Sequence, residues 1–262
     1  MLEISERQCK SILTKSRIPG IDYTICPYIG CAHQCIYCYV RFMGFVKDDW
    51  GQALYVKTNA VEVLKKQVLK VREKSRISIS TATDPYQPAE EKYTLTRSIL
   101  KELMPHKISV SILTKSALVT RDIDILKDMW DVEVGLTITT TDEQAKMIFE
   151  PYASSIRERL SALDVLKKAG IRTWVFIGPI LPFFTEQSLP ELIERLKDFG
   201  VERIVIDKLN YIKRLELEEK LRKDYPEFAL KYKDTDRKYF DKVKWLIVGW
   251  CKEHNIDYEA CF

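Results

Sequence analysis

The chain has 262 residues, 46% of them hydrophobic and 31% charged, which suits one globular domain with a large core. No apolar run approaches the roughly 20 residues of a membrane span. A net charge of +4, from 42 basic and 38 acidic residues, is too balanced to establish nucleic-acid binding by itself. The polar N-terminus shows no secretory h-region, so a cytoplasmic location without a membrane partner is expected. Seven cysteines, an odd number, argue for reduced thiols and metal ligation over a disulfide framework.

Residues 1–20 are mixed and end in a Pro19-Gly20 turn. Residues 21–29 read as a short strand leading into ICPYIGCAHQCIYCYVRFMGF, where Cys31, Cys35 and Cys38 stand in C-x₃-C-x₂-C spacing. Residues 59–75 read as an amphipathic helix capped by Asn59. Residues 77–83 alternate like a strand, Asp84-Pro85 breaks it, and 94–103 is helical. The pattern then repeats: strands over 107–116, 131–141, 171–182 and 201–210, helices over 121–129, 154–170 and 188–200. Gly170 and Gly200 are natural caps for the last two helices.

Successive strand–helix units imply a parallel sheet with right-handed crossovers. Periodicity alone allows an open doubly wound sheet or a TIM-like barrel. Both place their sites at the C-terminal ends of the strands. The aromatic, charged stretch 211–250 reads as helices, and DYEACF as a last strand. The expected organisation is an N-terminal segment (1–20), a barrel-like unit (21–210) and a C-terminal helical extension (211–262) packed on it.

Thiolates are the usual ligands of iron–sulfur clusters, and these short gaps let one loop turn three sulfurs toward one centre. A zinc knuckle or a redox disulfide also uses close cysteines. Zinc sites usually bring two separated pairs, and no second C-x₂-C occurs here. The loop resembles the radical S-adenosylmethionine (SAM) signature, with Tyr37 at its aromatic position.

Other candidates lie at strand ends. Thr81, Thr83 and Asp84 offer oxygens for the SAM amino group, although Asp84 before Pro85 also suits an Asx turn. Lys115 can meet a carboxylate as a point charge, or be a surface lysine. Thr137, Thr139 and Thr140 can bond ribose hydroxyls, or simply favour a strand. Gly178 in GPILP lets backbone approach adenine, or marks a strand ended by prolines. Arg121-Asp122 and Glu150-Pro151 read as caps, ion pairs or substrate contacts. Arg157 and Arg159 read as surface residues. Cys26 reads as the end of a buried strand, or as a fourth cluster ligand. Cys251 reads as a helix packing residue. Cys261 is a candidate hydrogen donor if DYEACF reaches the barrel mouth, and Tyr39 is a candidate radical relay.

TDPYQPAEEKYTLTRSIL, LTKSALVTRDIDIL, FEPYASSIRERLSALDVLKKAGI and GPILP follow the cysteine motif in order. Over about residues 21 to 210 the chain resembles the spore photoproduct lyase-related, DNA repair photolyase-like radical SAM proteins. That resemblance implies a partial (β/α)₆ TIM-like barrel and a [4Fe-4S] cluster on Cys31, Cys35 and Cys38. It implies reductive cleavage of SAM to a 5′-deoxyadenosyl radical, with electrons from a donor such as ferredoxin or flavodoxin. It places Thr83 and Asp84 at the SAM amino group, Lys115 at its carboxylate, and the Thr137–Thr139 strand end at its ribose. The substrate is left open, with nucleic acid a candidate and a monomer expected. The hydrogen-donor cysteine of spore photoproduct lyase matches Ala82 here, so that enzyme's own activity is not expected. The rival class is a non-catalytic iron–sulfur or zinc protein for electron transfer or nucleic-acid binding.

Overall fold

Alternating apolar residues on short strands have to bury one face, and the helices between the strands supply the cover. The structure is a computed structural model that describes residues 2–40, 51–209, 214–232 and 235–262. In chain order it contains β1 (Glu3–Arg7), β2 (Leu13–Lys15), β3 (Tyr23–Ile25), β4 (Tyr28–Ile29), β5 (Ala53–Lys57), α1 (Ala60–Val68), β6 (Arg76–Ile79), α2 (Ala89–Tyr93) and α3 (Leu95–Leu103). There follow β7 (Ser109–Thr114), a 3₁₀ turn (Ala117–Asp122) running into α4 (Ile123–Leu126), β8 (Asp131–Thr137), α5 (Glu143–Phe149), α6 (Ile156–Lys168) and β9 (Arg172–Ile180). The chain ends with α7 (Phe184–Asp198), β10 (Arg203–Lys208), α8 (Arg214–Asp224), α9 (Pro226–Tyr232), α10 (Arg237–Glu253) and β11 (Asp257–Ala260).

The main sheet has the order β11-β10-β9-β8-β7-β6-β3-β2. All its pairings are parallel except the outermost, β2 with β3. Among the described residues its edges β2 and β11 do not pair with each other, and the sheet has the arrangement of a partial barrel in the α/β class. Ile77, Ile79, Val110, Ile112, Val134, Leu136, Val175, Ile177, Ile204 and Ile206 are buried on the face under the helices. Burying each such side chain contributes about 1.5–3 kcal/mol. The intervening residues Ser78, Ser111, Glu133, Trp174 and Arg203 face the concave side and line a chamber there.

Several expected boundaries moved. Residues 1–20 contain two strands, and β1 pairs with β5 in a small separate sheet with β4. The helix expected over 59–75 stops at Val68, and Asn59 makes no side-chain cap bond. Its amide instead bonds both the N–H and the carbonyl of Cys9, tying the N-terminal segment down. The helix expected over 121–129 is a 3₁₀ turn and one short helical stretch. The one expected from 188 begins at Phe184. Helix α6, expected from 154, starts at Ile156 behind a full capping box between Ser155 and Glu158.

Candidate active site

The cysteine loop leaves β4 through Gly30, at φ +88°, where an added Cβ would sit 2.5 Å from the Ala53 carbonyl oxygen. Only glycine fits such a turn without strain. The loop is then pinned from two sides. On one side the Ala32 N–H donates to Gln87 Oε1 at 2.8 Å, the Thr83 hydroxyl donates to the Gly30 carbonyl, and His33 Nδ1 lies 3.4 Å from Asp84 Oδ2. On the other side the Ile36 N–H donates to the Phe149 carbonyl at 3.0 Å, and the Tyr37 hydroxyl donates to Glu150. Glu150 also pairs with Arg159, and both are buried.

Cys31, Cys35 and Cys38 all line one chamber of about 1480 Å³ at the C-terminal ends of the strands. Cys26 is not among its lining residues; its carbonyl accepts from Lys57 at 2.8 Å. Cys251 is buried in the core on α10. Burial pushes the Cys31 thiol up to about 12 and the Cys35 thiol well above its usual range. Ligation of a metal by either thiol would release its proton. Among the described residues no three His, Cys, Asp or Glu side chains converge to hold one metal ion.

Asp84 is only 7% exposed, and its oxygens are occupied. Oδ1 accepts from the Tyr86 N–H, which is an Asx turn, and from the Thr114 hydroxyl; Oδ2 accepts from the Lys115 N–H. Burial would raise its pKa, but His33 and these hydrogen bonds outweigh it and hold the carboxyl well below its usual range. Burial would likewise lower Lys115, but Cys35, Glu150 and Asp84 outweigh it and keep the ammonium protonated. Its Nζ lies 5.7 Å from the Tyr37 ring centroid.

Of the other expected site residues, Tyr39, Thr81, Thr83, Thr137, Gly178 and Cys261 also line the chamber. The Tyr39 hydroxyl donates to the Thr81 carbonyl at 3.3 Å. The Thr137 hydroxyl is buried with no hydrogen-bond partner among the described residues. Thr139 is not brought to the chamber: it is buried, and its carbonyl accepts from the Thr185 hydroxyl. Arg121 and Asp122 pair with each other, and Arg121 also pairs with Glu90, away from the chamber. Arg159, expected on the surface, is fully buried. Its reach to Glu150 and to the Thr137 carbonyl crosses to other elements, which helix periodicity does not encode.

A family model described as the Radical SAM superfamily matches residues 25–196. The chain belongs to the Radical SAM superfamily. Over 246 residues it is 35% identical to an uncharacterized protein of Methanocaldococcus jannaschii, covering 92% of each chain. It is 24% identical to the radical SAM Nalpha-GlyT isomerase of Pseudomonas phage M6, covering 69% of this chain and 38% of that one. Spore photoproduct lyase complexed with dinucleoside spore photoproduct superposes with a TM-score of 0.73 at 16% identity, covering 99% of this chain and 82% of the lyase. Streptococcus suis SuiB bound to S-adenosylmethionine gives 0.61 at 11% identity, covering 90% and 46%. Both share the fold of this chain. Members of the superfamily act with a reductant and a substrate. No helix among the described residues is long and apolar enough to cross a membrane.

Proposed function

We propose that the protein is an enzyme that binds a [4Fe-4S] cluster through Cys31, Cys35 and Cys38 and cleaves SAM reductively beside it. One observation carries the reading: the three cysteines of a single loop line one chamber with Lys115 and Thr137. When bound, the cluster supplies the electron that splits SAM into methionine and a 5′-deoxyadenosyl radical, and that radical takes a hydrogen atom from the substrate. Ferredoxin or flavodoxin is the class of donor that refills it.

The chain's own residues bind and orient. Lys115 carries the charge for the SAM carboxylate. Thr137 has a free hydroxyl for the ribose. Tyr37 and Gly178 border the adenine, and Thr81 and Thr83 flank the amino group. Asp84 acts by organising the loop around it, since its oxygens already accept three hydrogen bonds and face His33. The cofactor provides the radical chemistry, while the chamber walls exclude water.

Cys261 and Tyr39 are the hydrogen-bearing groups we assign to the substrate side. Burial, then Asp207 and Glu259, push the Cys261 thiol up to about 11. It keeps its S–H at neutral pH, as a hydrogen-atom donor must. Residues 21–210 form the catalytic unit, with 1–20 and 211–262 packed on it, in a cytoplasmic monomer. Nucleic acid is the substrate class supported by the lyase complexed with a dinucleoside. Ala82 leaves no thiol at the lyase's position, so dimer repair is not the proposed reaction.

The test is electron paramagnetic resonance of the anaerobically reconstituted, reduced protein. Adding SAM should change the spectrum of a four-iron cluster. A spectrum that SAM leaves unmoved contradicts the reading.

A further inference from the structure

The chamber continues well below the cysteines, and its deep end is built unlike a filler core. On β8 Glu133 stands four positions before Thr137, so at about 3.3 Å per residue Glu133 lies roughly 13 Å deeper. Glu133 Oε1 accepts from Arg76, from Arg203 at 2.9 Å and from the Ser111 hydroxyl at 2.8 Å. It thereby ties four strands together. Its Oε2 accepts no hydrogen bond among the described residues.

One wall above this carboxylate is flat and aromatic. An added Cβ on Gly135 would run into the Trp174 indole, and one on Gly178 into the Phe176 ring. The two glycines therefore let both rings lie across bare backbone. The Arg203 guanidinium lies 5.1 Å from the Trp174 ring centroid and holds it there. The opposite wall is small and polar, with Ser78 beside Ser111 in register and Ser80 beyond. Ser80 is 5% exposed and its hydroxyl has no partner among the described residues. The Trp174 Nε1–H and the Arg76 Nε–H are also buried without acceptors among the described residues.

We propose that this deep end recognises a planar lactam-type ring, one with a ring N–H beside a carbonyl. The ring lies against Trp174 and Phe176, its N–H donates to Glu133 Oε2, and its carbonyl accepts from the Arg76 Nε–H after a small side-chain turn. A carboxylate fits less well, because Glu133 and Glu259 already balance the charges of Arg76 and Arg203. The assignment rests on the radical SAM reading only for what happens to the ring once bound.

The probe is 2-pyridone, with N-methyl-2-pyridone and benzoate as controls. Each is titrated into the reconstituted, oxidised protein while the Trp174 indole N–H is followed by nuclear magnetic resonance, its signal assigned with Trp174→Phe. We expect 2-pyridone to move that signal saturably and N-methylation to weaken binding at least tenfold, the loss of one hydrogen bond to a charged acceptor. Glu133→Gln, read by the same resonance, should shrink that ratio to within about threefold, because a neutral amide replaces the charged acceptor. Ser111→Ala is the second variant should Glu133→Gln fail to fold, and is expected to weaken 2-pyridone by releasing one of the donors that fix Glu133.

No shift with 2-pyridone, equal binding of the N-methyl compound, or tighter binding of benzoate overturns the proposal and leaves the cluster of charges as a strut between strands. Formation of 5′-deoxyadenosine by the same preparation is scored separately. Cleavage without pyridone binding sinks this inference alone; pyridone binding with a cluster spectrum that ignores SAM sinks the enzymatic reading alone.

Discussion

The Tyr37 hydroxyl donates to Glu150, joining the cysteine loop to a residue 113 positions further along the chain. Glu150 is the counter-charge of the fully buried Arg159, and burial, which would raise its pKa, is outweighed by Arg159 and Lys115. Breaking a buried pair from one side costs about 3–5 kcal/mol because a charge is left unpaired. Glu150→Gln should therefore lower the unfolding free energy measured in urea by an amount in that range and reduce iron retention. A loss below about 1 kcal/mol would show that the pair does not anchor the loop.

Iron content separates the cysteines. Cys31→Ala, Cys35→Ala and Cys38→Ala should each lose most bound iron and sulfide after reconstitution. Cys26→Ala should retain about four irons per chain, the content of a cubane, since Cys26 does not reach the chamber. Equal losses in all four variants would mean that the chain offers a four-cysteine site.

Gly30 combines a positive φ with the Ala53 carbonyl in the space of a side chain. Gly30→Ala should cost about 2–4 kcal/mol, from backbone strain and overpacking together. Chemical denaturation of the metal-free protein measures it. A change under about 0.5 kcal/mol would show that the loop exit relaxes freely.

Asp84 has a depressed pKa in the folded protein. Its contribution is then complete above the ordinary carboxylate range near pH ~4 and disappears as pH falls through the lower folded value. The wild-type protein should lose stability on acidification below about pH 5 more steeply than Asp84→Asn, whose neutral amide has no such dependence. Parallel acid limbs would contradict the assignment.

The Cys261 thiol, at about 11, should be alkylated by iodoacetamide at a rate that climbs about tenfold per pH unit from 7 to 10 without levelling. Peptide mapping follows the modification. A plateau near pH 8 would mean a thiolate unsuited to donating hydrogen.

Much of this was legible beforehand. The parallel strands and the order of the repeating units follow from period-two and period-3.6 patterns, and the cysteine spacing marks the loop that lines the chamber. What was missed depends on contacts between distant elements. Arg159 looks solvent-facing on a charged helix, because its partners Glu150 and the Thr137 carbonyl belong to other elements. Thr139 shares strand parity with Thr137, but β8 ends at Thr137, so parity no longer sets the direction of the side chain. Glu133, Arg76 and Arg203 belong to no motif in the sequence, and only the curved sheet brings them together in its own chamber. The N-terminal strands are too short and polar to show a period.

The central claim is tested most directly by anaerobic assay for 5′-deoxyadenosine. The cluster is reconstituted, reduced with dithionite and supplied with SAM, with Cys35→Ala as control. The account predicts deoxyadenosine from the wild-type protein and none from the variant. A fully loaded four-iron protein that forms no deoxyadenosine and whose cluster spectrum ignores SAM would contradict it.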